Sequence, residues 1–170
     1  AIYGIALDLG STTIAAHLCN LKTGKIINSN GVMNPQIKFG EDLMSRVSFA
    51  MMNEMGAEKM SVSVREGINS LLNSLCTESN VKKDYVLEVV IVGNPIMHHL
   101  LLGIDPTELG QAPFALASSS SITINLIELG ICLDTNTKLY ILPCIAGHVG
   151  ADAAAVALST SLEKSKDTVL

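Results

Sequence analysis

A polar turn set between two apolar runs constrains this chain more than any other feature. Ile2-Tyr3-Gly4-Ile5-Ala6-Leu7 precedes it and Ile14-Ala15-Ala16-His17-Leu18-Cys19 follows it. The turn itself is Asp8-Leu9-Gly10-Ser11-Thr12-Thr13. Short apolar runs on either side of a glycine-bearing turn predict a β-hairpin. Gly10 lets backbone approach a ligand or take a positive φ. Ser11, Thr12 and Thr13 add hydroxyls beside backbone N–H groups, and Asp8 ends the first strand next to them. A loop of this kind can hold phosphate through N–H and hydroxyl donors while the carboxylate holds a metal or its waters. The same residues also serve a plain turn, in which Asp and Thr side chains only satisfy local backbone groups.

The length of 170 residues suits one domain, residues 1–170. With 48% hydrophobic and 16% charged residues, the chain can bury a sizeable core without disulfides or metals. Aromatics make up only 4%, so that core must come from Ile, Leu, Val, Ala and Met. A formal net charge of -5 excludes a general nucleic-acid binder, which needs a basic patch. No apolar run is long enough to span a membrane; the longest, Val86 to Val92, is interrupted by Glu88. Cys19, Cys76, Cys132 and Cys144 form no C-x-x-C pair and lie in apolar runs, as buried free thiols do. Free thiols and the lack of a visible signal peptide imply a reducing, cytoplasmic setting. The chain opens on Ala1 and closes on Thr168-Val169-Leu170, which reads as the start of another strand. A piece of a longer protein is therefore expected.

Asn20 to Gly24 supplies a turn and Lys25 to Val32 a third strand, giving an antiparallel meander. Asn34-Pro35-Gln36 breaks the pattern. A helix is expected from about Glu41, with Leu43, Val47, Ala50 and Met51 inward and Gly56 as its end. A longer helix, 57–78, carries Met60, Val64, Ile68, Leu71, Leu72 and Leu75 on one face, its methionines filling core. Ser45, Arg46 and Glu66 read as a solvated helix face. Leu87 to Val92 is a buried strand, and Asn94-Pro95 opens a short helix to Leu102. His98 and His99 are adjacent and so point about 100° apart on that helix, which rules out an i, i+4 ligand pair and leaves them structural or superficial. Residues 104–135 read as an insertion, functional or poorly ordered, with a short strand at 122–126 and a helical turn at 127–133. Lys138 to Leu142 is a strand. Gly147 to Asp152 is a glycine-rich turn opening an alanine-rich helix, 153–162, with Val156 inward. The expected element order is βββααβαβα, a mixed five-stranded sheet flanked by helices.

Three motifs fall on one pattern: Asp8-x-Gly10-x-Thr12-Thr13, Asn94 after a buried strand, and Gly147-x-x-Gly150-x-Asp152 at the last helix. This resembles the first half of the ribonuclease H-like nucleotide-binding fold of actin, sugar kinases and heat-shock chaperone ATPases. A narrower resemblance covers nearly the whole chain. Residues 3–13, Asn34-Pro35-Gln36 with Gly40-Glu41-Asp42, Arg46, Val92-Gly93-Asn94 with Met97-His98-His99 and Gly103, Ala112-Pro113-Phe114, and Leu142-Pro143 through Asp152 are similar to the ATPase part of the reductive activators of corrinoid proteins.

The resemblance implies an α/β, actin-like nucleotide-binding subdomain, the N-terminal half of an ATPase domain within a longer iron–sulfur protein. It implies ATP and Mg²⁺ as cofactors, with the iron–sulfur cluster outside this chain. It implies coupling of ATP use to one-electron reduction of a Co(II) corrinoid to Co(I) on a methyltransferase partner. On this reading Asp8 and Asp152 are catalytic, and Asp8 also organises Mg²⁺ through water. Gly10, Ser11, Thr12, Thr13, Gly147 and Gly150 hold the nucleotide. The second phosphate loop and the adenosine pocket of the family are missing from the chain, and His148 stands where an aromatic residue is expected. Asp152 serves equally well as a helix cap, and Asn94 reads first as a cap or turn residue. A small-molecule kinase, a dehydratase activator of the same fold and a non-catalytic assembly module remain the alternatives, and a homodimer is compatible with the sequence.

Overall fold

The computed structural model describes residues 1–160. Six strands form one sheet: β1 (Tyr3–Leu9), β2 (Thr13–Asn20), β3 (Ile26–Met33), β4 (Val86–Gly93), β5 (Ile122–Asn125) and β6 (Lys138–Ile141). Their order is β3-β2-β1-β4-β6-β5. The meander β1–β2–β3 is antiparallel, as expected. β4 and β6 continue the sheet parallel to β1, and β5 closes the edge antiparallel to β6. Four α-helices accompany it: α1 (Leu43–Met52), α2 (Gly56–Glu78), α3 (Pro95–Leu102) and α4 (Ala151–Thr160).

Strand alternation decides which face is covered. Ile5, Leu7 and Leu9 of β1, Ile14, Ala16 and Leu18 of β2, and Val89 and Ile91 of β4 are buried on one face. α2 covers that face with Met60, Val64, Ile68, Leu71, Leu72 and Leu75, all fully buried as their helical spacing requires. Each such side chain contributes about 1.5–3 kcal/mol through burial. The opposite face keeps Ala6, Asp8 and His17 open to solvent. Leu9 pairs with Ile14 and is level with Gly93. The carboxyl ends of β1 and β4 therefore coincide, and the turns that follow them are neighbours.

Several expectations need correction. Among the described residues the sheet has six strands, where five were expected. The sixth, β5, lies within 104–135 and pairs Ile122 with Ile141 and Ile124 with Leu139. That segment also buries Leu109, Leu126, Leu129 and Ile131 in the core. Gly56 opens α2 and does not close α1. Met55 turns the chain at φ 56°, and a side chain on Gly56 would strike the Phe49 carbonyl. Met51 is 59% exposed, and Met52 and Met55 are exposed with it, so only Met60 of this stretch fills core. Val156 is 58% exposed; the inward stripe of α4 is Ala151, Ala154 and Ala155. Cys76 and Cys144 are buried, but Cys19 is half-buried and Cys132 exposed, all four free thiols. The residues expected to extend the last helix to 162 and to begin a further strand lie outside the described ones.

Candidate functional site

The turn after β1 is built from underneath. Asn34, fully buried, donates from Nδ2 to the Gly10 carbonyl (2.9 Å), and its backbone N–H donates to the Thr12 carbonyl (2.8 Å). The carbonyl between them, that of Ser11, accepts from Nη2 of Arg46 (2.5 Å). Arg46 is fully buried too. Its Nε donates to the Gly40 carbonyl (2.9 Å), and Nη1 reaches Gln36 Oε1 (3.4 Å) and Met97 Sδ (3.3 Å). Asn34 caps the 3₁₀ turn Pro35–Phe39 by accepting from the Gln36 N–H. Gly10 is required because a Cβ there would strike the Thr13 carbonyl. The hydroxyl-bearing Ser11, Thr12 and Thr13 lie on the outer side, Thr12 and Thr13 exposed and Ser11 half-buried.

Arg46 overturns the reading of its helix as a solvated face. Its position was legible: Leu43, Arg46, Val47 and Ala50 follow the i, i+3, i+4, i+7 spacing of one helix face, so an arginine there sits in the buried stripe. Glu66 and Ser45 carry no such contact with the loop among the described residues.

The second turn meets the first at the ends of the parallel strands. Asn94 caps α3 by accepting from the Met97 N–H (3.0 Å). Gly150 lies against the Gly93 carbonyl and Asn94 Cα, closer than any side chain allows, so the start of α4 is seated on the end of β4. Gly147 is pressed in the same way on the Phe114 carbonyl, and the His148 ring packs on Phe114 with centroids 4.2 Å apart. Close packing of backbone is thus a sufficient structural reason for both glycines. Asp152 stands in the first turn of α4, inside the helix, and accepts from the Ala153 N–H (2.8 Å). His98 and His99 are structural. His99 Nδ1 donates to the Pro95 carbonyl (2.8 Å) and Nε2 accepts from the Ala117 N–H (3.1 Å), tying the 111–117 segment to α3.

Asp8 and Asp152 line one cleft of ≈ 740 Å³ between the open sheet face and α4, together with His17, Val92 and Val156. Asp8 keeps contact with solvent, yet partial loss of water raises its pKa, and the charge of Asp152 raises it further. Burial, with Asp152 adding to it, pushes the Cys144 thiol up to about 11 and leaves it inert. Among the described residues no group of three or more His, Cys, Asp or Glu is placed to hold a metal. Two carboxylates lining one cleft are a donor set that suits Mg²⁺, which keeps most of its waters and takes one or two carboxylates plus phosphate oxygens.

Residues 3–165 match the family described as RACo middle region. The chain belongs to that family. A curated relative, the corrinoid activation enzyme RamQ of Eubacterium limosum, is 29% identical over 163 residues, 96% of this chain and 28% of that protein. A solved structure, a reductive activator for a corrinoid, iron–sulfur protein, superposes with a TM-score of 0.92 at 34% identity, covering 98% of this chain and 26% of that one. The fold of this RACo middle region is α/β and actin-like, as the resemblance implied. The chain spans only 26% to 28% of the length of these relatives. Among the described residues no helix is long and apolar enough to cross a membrane.

Proposed function

We propose that this chain supplies one wall of an ATP cleft in a reductive activator of a corrinoid protein. The observation that carries the reading is the meeting of Asp8 and Asp152, far apart in sequence, in one cleft beside a loop of hydroxyl and amide donors. Phosphoryl transfer needs positioning and charge neutralisation more than covalent chemistry. Ser11, Thr12 and Thr13 bind the terminal phosphates, with Gly10 admitting the close approach. Asp8 and Asp152 hold the waters of Mg²⁺, and Asp152 orients the attacking water from the first turn of α4. Mg²⁺, when bound, neutralises charge on the phosphate oxygens. Gly147 and Gly150 shape the second turn so that Asp152 reaches the cleft.

The whole protein, on this proposal, couples ATP hydrolysis to passage of one electron from an iron–sulfur cluster outside this chain to a Co(II) corrinoid, giving Co(I). The partner is a corrinoid protein of a methyltransferase system. The similarity to RamQ and to the reductive activator supports that assignment. The test is Mg-ATP hydrolysis and Co(I) formation by the full-length protein carrying Asp8→Ala or Asp152→Asn. Each substitution is expected to lower both rates by about a hundredfold or more. Unchanged hydrolysis in both variants would remove the site assignment.

A further inference from the structure

The three successive carbonyls of the turn after β1 are all held by buried donors from one neighbouring segment. Gly10 accepts from Asn34 Nδ2, Ser11 from Arg46 Nη2 and Thr12 from the Asn34 backbone N–H. Asn34 and Arg46 also converge on Met97 Sδ, so the donors form one cluster beneath the loop. A peptide unit is planar and trans, so a carbonyl and the next residue's N–H point in opposite directions. Drawing the carbonyls of 10, 11 and 12 inward turns the N–H groups of Ser11, Thr12 and Thr13 outward. Successive N–H groups turned to one side make an anion-binding concavity.

We infer that Asn34 and Arg46 are positioning residues that hold this loop in its phosphate-binding form, with Arg46 acting through the Ser11 carbonyl and Asn34 through those of Gly10 and Thr12. The inference rests on the ATP reading above and adds the residues that set the affinity for the terminal phosphate. Neither side chain touches the nucleotide. Arg46 is suited to the role by its planar fork, which serves the Gly40 and Ser11 carbonyls at once; a lysine amine on a flexible stem cannot span both. The cationic head is buried without water to compete for it, so its hydrogen bonds to the carbonyls are charge-assisted. Met97 lies one helical turn from the Asn94 cap, which packs on Gly150. The same buried cluster therefore sets the height of the first loop relative to the turn that carries Asp152.

The experiment compares ATP and AMP binding by the full-length protein with Arg46→Met, Arg46→Lys and Asn34→Asp. AMP lacks the phosphates the loop would hold. Asn34→Asp keeps the acceptor for the Gln36 N–H and the backbone N–H to Thr12, and loses the Nδ2 donor that serves the Gly10 carbonyl and Met97 Sδ. Arg46→Met and Asn34→Asp are each expected to weaken ATP about tenfold and to leave AMP unchanged, since each removes one side-chain hydrogen bond to a carbonyl of this turn, a loss of that order. Arg46→Lys is expected not to restore ATP affinity. Equal losses for ATP and AMP, unchanged ATP affinity in both variants, or full rescue by lysine would each overturn the inference. If Arg46→Met does not fold, Asn34→Asp decides alone. Absence of ATP binding by the unsubstituted protein would bring down the ATP reading and this inference together, whereas ATP binding indifferent to Asn34 and Arg46 would bring down this inference only.

Discussion

At Asp8 two influences act in one direction: partial loss of water raises the carboxyl pKa, and Asp152 adds its own negative charge. The larger cause is the first. Asp152→Asn should therefore lower the Asp8 pKa without returning it fully to its ordinary value, a shift readable by carbon NMR of the carboxyl group. An unmoved pKa would mean that the two carboxylates do not sense each other across the cleft. A raised carboxyl pKa also means that the ionised form of Asp8 is disfavoured by folding, so its contribution is lost as pH rises through the acid range. Sequence alone singled out the two carboxylates that the fold brings to one cleft, because each stands beside glycines at the edge of an apolar run. It missed Asn34 and Arg46 as supports. The helix spacing puts Arg46 in the buried stripe, but the carbonyls that it and Asn34 serve lie on another element and are not written in that spacing.

At the scale of elements, the loop is shared between the β1–β2 hairpin and the segment from Asn34 to α1. α2 holds that segment down. Gly67, in the middle of α2, is pressed against Pro35; a Cβ there would lie 2.9 Å from Pro35 Cγ. Alanine in place of a helical glycine normally stabilises by about 1 kcal/mol. Here the proline ring has no freedom to yield, and overpacking costs about 1–3 kcal/mol. Gly67→Ala is expected to be neutral to destabilising, with a fall in melting temperature of up to roughly 8 °C on thermal unfolding. A rise in melting temperature would show that Pro35 moves freely and that the support of Asn34 is soft. Helix α2 and its apolar stripe were legible from spacing alone. The join at Gly56 was not, because a glycine ends one helix and starts another with equal ease, and contact with the Phe49 carbonyl decides.

For the molecule as a whole, acid stability turns on the buried histidines. Burial, assisted by His99, pushes the His98 pKa from 6.5 down to about 4, and its Nε2 is buried with no hydrogen-bond partner among the described residues. Above pH 6.5 the imidazole is neutral in both folded and unfolded chains. As pH falls from 6.5 toward 4, the unfolded chain takes the proton first, so stability is lost across that window. Melting temperature should decline over this range, and His98→Leu, which keeps the bulk without the titration, should flatten the decline; an equal slope in the variant would place the acid sensitivity elsewhere. His99 is also depressed by burial, and its Nε2, which accepts from the Ala117 N–H, loses that bond when it takes a proton, so its titration acts in the same direction. The sequence by itself determined the meander, the long helix, the capped strand-to-helix turn at Asn94 and the two motifs bearing Asp8 and Asp152. Each is written in local periodicity or in a turn residue with one conformational use. Only the tertiary structure decided that residues 122–125 form the sheet edge, that α4 turns Ala151, Ala154 and Ala155 inward, and that the loop carbonyls hang from Asn34 and Arg46. Those outcomes depend on partners distant in sequence, and a buried donor is selected by the acceptor it faces.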